Sequence, residues 1–131
     1  MSGYTTCSVD AVPDVFGGRY PGSMRFMADT LETEQLAFTH RLMPAQSGGK
    51  GSYGHRHRTQ EEVYYVVAGR LEFKIGDDVI EVGAGEAVRV AADVWRSVWN
   101  EGPGDAELLI ASIRSEDPER ETETLPDFWP E

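Results

Sequence analysis

Residues 49–69 read GKGSYGHRHRTQEEVYYVVAG, and the fold turns on this stretch. Tyr53, His55 and His57 alternate with Gly54 and Arg56, so on a strand the tyrosine and both imidazoles project to one face. After a short polar break, Glu62, Tyr64 and Val66 alternate with Val63, Tyr65 and Val67 in a β-branched and aromatic run. Two imidazoles and a carboxylate on one surface can grip a divalent ion from one side and leave positions open for a substrate. Glu61 has the opposite parity to Glu62 and is expected on the surface.

Working outward, the pattern stays short and alternating. Gly69-Arg70 turns the chain into Leu71, Phe73 and Ile75, and Gly76-Asp77-Asp78 makes the next hairpin. Strands are then expected at 79–82, 87–90, 94–100 and 106–115. Upstream, Gln35 to Met43 alternates, and Leu36, Phe38, His40 and Leu42 are expected to look inward. Residues 1–22 hold scattered glycine and proline and read as an irregular arm. Asp117-Pro118 can start a short helix, with proline at its first position. Short strands at this spacing, with no long helical period, predict an all-β barrel of the jelly-roll type.

The bulk numbers narrow the class. A chain of 131 residues, 40% apolar and 27% charged, suits one domain, 1–131, with a real core. Twelve basic residues face 23 acidic ones, for a formal charge of -11, and such a field argues against nucleic acid or an anionic membrane as partner. Much of the acid falls in residues 116–131, which read as a solvated tail. Cys7 is the single cysteine, so no intrachain disulfide can form. With no basic-then-apolar pattern at the N-terminus, a reducing, cytoplasmic setting is expected.

The segment Gly49-x5-His55-x-His57-x4-Glu62-x6-Gly69 resembles the first motif of the cupin superfamily at every defining position. The second motif of that family runs Gly, five residues, Pro, one, Gly, two, His, three, Asn. Its register survives here as Gly85, Ala91, Asp93, Arg96 and Asn100, with proline, glycine and histidine replaced. The resemblance covers about residues 35–115 and implies a small barrel with a pocket between two sheets. It also implies a metal (Fe, Mn, Ni, Zn or Cu) on three histidines and a glutamate. Carried over residue by residue, the ligands are His55, His57 and Glu62, and Arg96 stands where the third histidine is expected. Family members include oxygenases, isomerases, decarboxylases and non-catalytic binding domains, so the resemblance does not choose a reaction.

Arginine keeps its proton and offers no lone pair to a metal. A unit charge about 5 Å from a divalent ion repels it by roughly 6–7 kcal/mol at an effective dielectric of about 20. Three readings stay open. His55, His57 and Glu62 form a three-ligand metal site, with Arg96 swung away or holding a substrate's carboxylate. Alternatively Arg96 pairs with Glu62 in a metal-free pocket for a small anionic or polar ligand. Or the histidines are buried hydrogen-bonding groups in a structural barrel.

Tyr53, Tyr64, Phe38, Phe73 and Val98 have the parity expected of pocket walls, with His40 and Arg96 as polar members. An aromatic or anionic small molecule suits such walls. His40 reads first as a satisfied core residue and second as a replacement ligand. Trp95 and Trp99 fall opposite Arg96 and should lie outside the barrel. Either the arm or tail covers them, with Phe128 and Trp129 as a clasp, or they form the interface of a homodimer, which the resemblance favours.

Overall fold

Alternation in the central segment becomes strand in the computed structural model, which describes residues 3–131. In chain order the elements are β1 (Ser23–Phe26), α1 (Ala28–Leu31), β2 (Leu36–Met43), β3 (Ser47–Gly48), β4 (Tyr53–His57), β5 (Glu62–Ala68), β6 (Arg70–Ile75), β7 (Asp78–Gly83), β8 (Ala87–Val90), β9 (Arg96–Asn100), β10 (Ala106–Ile113), α2 (Pro118–Glu121) and β11 (Thr122–Pro126). One sheet runs β1-β2-β10-β5-β8; the other runs β11-β4-β9-β6-β7, with β3 added beside β9. Antiparallel pairing of sequence-distant strands such as β2 with β10 and β4 with β9 makes this an all-β jelly-roll barrel. Among the described residues no helix is long and apolar enough to cross a membrane.

The inward faces of both sheets meet in one core. Val66 on β5, Leu71 and Phe73 on β6, Val90 on β8 and Leu108 on β10 are all buried there, with Met43 from β2. Gly69 turns β5 into β6 with φ +80°, and a Cβ there would lie 2.6 Å from the Asp105 carbonyl oxygen, so only glycine fits. Asn100 is retained from the second motif and is structural. Its Nδ2 donates to the Met43 and Gly104 carbonyls at 2.7 and 2.9 Å, and its Oδ1 accepts from Gly102 N at 2.8 Å.

Two expectations need correction. The face of β2 that looks into the barrel is Ala37, Thr39, Arg41 and Met43, the opposite set from the one expected. Leu36 and Leu42 are 62% and 43% exposed, while Met43 is buried. The pairing fixes this: Arg41 lies opposite Leu108 and Met24, Thr39 opposite Ile110 and Phe26. β2 carries apolar side chains on both faces, so its alternation could not say which face is inner.

The second correction concerns residues 116–131. They are acidic but not a free tail. α2 starts at Pro118 as expected, and β11 then pairs along β4, with Thr122 opposite His57 and Thr124 opposite His55. Beyond it Trp129 is buried, and Phe128 lies against Gly54 on the outer face of β4, where a Cβ would come within 2.3 Å of its ring. The arm is irregular, as expected, yet tied down. The Asp14 carboxylate accepts from Phe16 N and Met24 N, each at 3.0 Å, and Val12 is buried beneath it.

Candidate functional site

Each polar side chain of the site is placed by a strand. β4 supplies His55 and His57, both turned inward by their i, i+2 spacing. β9 lies beside β4 with Arg96 directly opposite His55, so the guanidinium and the imidazoles share a face. Glu62 and Tyr64 come from β5 in the other sheet. The site therefore bridges the two sheets, at one end of a cavity of about 610 Å³ whose walls include Tyr53, Tyr64, Phe73 and Val98. Phe38, half-buried and of the outward parity on β2, also borders this cavity.

Glu62 Oε1 is the focus. His57 Nε2 lies 3.3 Å from it and His55 Nε2 3.7 Å. The Tyr64 hydroxyl donates to the same oxygen at 2.6 Å, and Arg96 Nη2 donates to it at 2.9 Å. Arg96 is 1% exposed and held on every side. Its Nη1 donates to the carbonyls of Ala91, Ala92 and Val94 at 3.2, 3.0 and 2.8 Å, and its Nε reaches the Tyr64 oxygen at 3.4 Å. The backbone between Ala91 and Val94 thus forms a socket for the guanidinium.

These contacts set the protonation states. Burial works to raise the Glu62 pKa, but the imidazoles of His55 and His57 facing it and the hydrogen bond from Tyr64 overcome it and hold the carboxyl far below its ordinary range. Burial, with the Glu62 charge beside it, pushes Tyr64 well above its usual value, so its hydroxyl stays a donor. Burial also lowers the His55 pKa, against the pull of Glu62, and leaves that ring neutral at pH 7.

The structure places two site residues that the sequence reading missed and sets one aside. Glu121, at the end of α2, is 4% exposed. It accepts hydrogen bonds from Thr59 N at 2.9 Å, Gln60 N at 3.0 Å, Thr59 Oγ1 at 2.6 Å and Ser115 Oγ at 2.9 Å. Its Oε2 stands 3.6 Å from His57 Nδ1, and Thr122 Oγ1 lies 3.3 Å from the same nitrogen. The alternation of Thr122, Thr124 and the residues between them was the available signal, hidden by the acidic composition around it. Arg41 also enters the cavity wall, through the reversed face of β2. His40 leaves it: it lies on the outer face of β2, where its Nε2 is 2.6 Å from Glu107 Oε2. Glu61 is exposed and pairs with Arg89 on the outer face.

The donor set suits a divalent metal in type and spacing. The ligand atoms of His55, His57 and Glu62 all lie within 4.8 Å of one another. His57 Nε2 is buried, makes no hydrogen bond and faces Glu62, while the other side of the ring is backed by Glu121 and Thr122. Against this stands the fixed cation on the same carboxylate oxygen.

Comparison with known proteins agrees with this architecture. Residues 41–112 match the family model described as the cupin domain. No curated protein matches the chain in sequence. Among solved structures, a cupin protein from Bacteroides fragilis is 22% identical with a TM-score of 0.68, over 88% of this chain and 88% of that one. A sugar phosphate isomerase of the cupin superfamily from Silicibacter pomeroyi is 14% identical with a TM-score of 0.71, over 97% and 96%. A polyketide cyclase from Streptomyces resistomycificus is 19% identical with a TM-score of 0.67, over 87% and 89%. At these identities the likeness speaks for the fold alone.

Proposed function

The chain belongs to the cupin family, and from that premise we propose that it is a small-molecule-binding barrel in which an Arg96–Glu62 ion pair takes the place of a metal centre. The ligand is a small anionic or aromatic molecule held against the aromatic walls. One observation carries the reading: Arg96 Nη2 sits 2.9 Å from Glu62 while its Nη1 is locked to three backbone carbonyls. A guanidinium held that way cannot swing aside for a metal without giving up three hydrogen bonds and the Glu62 ion pair, since Ala91 and Ala92 keep backbone partners but the Val94 carbonyl is bonded through Arg96. The pair is neutral as it stands, and a divalent ion would add two charges to a largely buried site.

A second reading rests on the orphaned His57 Nε2. In it His55, His57 and Glu62 hold a divalent metal, which would supply Lewis-acid polarisation or oxygen activation for an isomerase or oxygenase. Metal analysis separates the two. Protein made in medium supplemented with iron, manganese, nickel and zinc should carry far less than one equivalent. Arg96→His should gain zinc or nickel binding over the parent. Stoichiometric transition metal in the purified parent overturns the ion-pair reading.

Homodimerisation belongs to the same proposal, but on another face than the sequence suggests. The Trp95–Trp99 side is occupied by the chain itself. The Arg56 guanidinium stacks on Trp95 at 4.5 Å, Trp99 Nε1 donates to Glu101 at 2.6 Å, and Lys74 on the same sheet donates to the Phe128 carbonyl at 2.7 Å. A cluster of exposed apolar side chains lies on the outer face of the other sheet: Leu36, Val63, Tyr65, Val67 and Ile113. A second copy covering that face is the proposed partner.

A further inference from the structure

Among the described residues that line the cavity, three are arginines. Two are committed. Arg96 is consumed by Glu62 and the backbone socket, and Arg114 Nη2 pairs with Asp29 Oδ1 at 2.8 Å on exposed ground at the rim. The third, Arg41, forms no ion pair with any described residue, and its Nε is buried without a hydrogen-bond partner. Its guanidinium lies 5.6 Å from the centre of the Phe16 ring, a contact that positions a cation without neutralising it. The carboxylates lining the same cavity are engaged elsewhere: Glu62 by Arg96, Asp29 by Arg114, and Glu121 by Thr59, Gln60 and Ser115.

A permanent charge left unpaired at the edge of an apolar cavity is costly unless something supplies its counter-charge. We infer that Arg41 is the anion anchor of the cavity, taking the carboxylate of a ligand whose apolar body lies along Met24, Phe26, Tyr53 and Phe73. This rests on the small-molecule reading above and names the part of the cavity that recognises charge. It also moves that role from Arg96, whose three nitrogens are each already hydrogen-bonded within the protein, to a residue on β2. The guanidinium fork matches the two oxygens of a carboxylate. One uncommitted arginine, with the other two paired and no lysine in the cavity lining, suits a monoanion better than a phosphate ester. The formal charge of -11 over the whole chain disfavours polyanions in the same way. Burial pushes the Arg41 pKa down, with the hydroxyls of Tyr53 and Tyr64 opposing, which agrees with a cation awaiting a partner.

Calorimetric titration with benzoate and its neutral analogue benzamide tests the assignment. The parent should bind benzoate at least about tenfold more tightly than benzamide. Arg41→Met should bring the two together by weakening benzoate alone, and Arg114→Met should leave the preference in place. A preference that survives Arg41→Met overturns the assignment. So does a parent that binds both compounds equally, which leaves the small-molecule reading standing. A parent that binds neither compound removes the aromatic-ligand reading and the anchor with it. Should Arg41→Met fail to fold, the parent still decides: benzoate must shift the Arg41 Nε–Hε resonance, and an unmoved resonance overturns the assignment.

Discussion

Four polar groups converge on Glu62 Oε1: the Tyr64 hydroxyl, Arg96 Nη2 and the two imidazole Nε2 atoms. Such an oxygen cannot be removed quietly. Glu62→Gln keeps the shape but leaves the Arg96 cation buried and uncompensated. The expected loss is about 3–5 kcal/mol in urea-unfolding stability at pH 7, the range for breaking one half of a buried pair. A loss below about 1 kcal/mol would mean that the backbone socket alone satisfies Arg96.

At the scale of elements, β11 and its anchor matter most. Burial works to raise the Glu121 pKa, but donors from Thr59, Gln60 and Ser115 prevail and lower it to about 2. A carboxyl depressed in the folded state stabilises above its unfolded pKa of 4.5 and loses that contribution as pH falls toward 2. Replacing it by Glu121→Gln should cost about 2–3 kcal/mol at pH 7 and much less at pH 3. Urea titrations of both proteins at the two pH values check this, and a gap that does not shrink in acid would contradict it.

The same element shows what a sequence conceals. β4, β5 and β8 run over the residues expected, because each alternates sharply between turns. Rigid strand parity put His55 and His57 on one face, and the resemblance to the family's two motifs joined Glu62 and Arg96 to them. β2 failed the same test, since both of its faces are apolar enough to be inner. That one reversal put His40 in the cavity and left Arg41 out. β11 was illegible for another reason. All five of its residues are exposed, so the composition looked like a tail, and only pairing with β4 makes it a strand. Pairing between distant segments leaves no local mark.

For the whole molecule, the decisive contrast lies between the two outer faces. One is roofed by the chain's own Phe128 and buried Trp129, whereas the other leaves Leu36, Tyr65 and Ile113 in the open. Sedimentation equilibrium should therefore report about twice the 14.5 kDa chain mass. Tyr65→Lys, at the centre of the open face, should shift the balance to monomer while leaving β5 folded. A parent that sediments at 14.5 kDa at high concentration removes the dimer.

Glu62 belongs to one sheet and Arg96 to the other, so their bond acts as a crossbar between the two walls. The barrel cannot dilate at that level without breaking it. On the proposed reading a ligand enters over the rim instead, where Asp29 and Arg114 clasp each other on exposed ground and salt can loosen them. That ligand would then reach inward only as far as the crossbar.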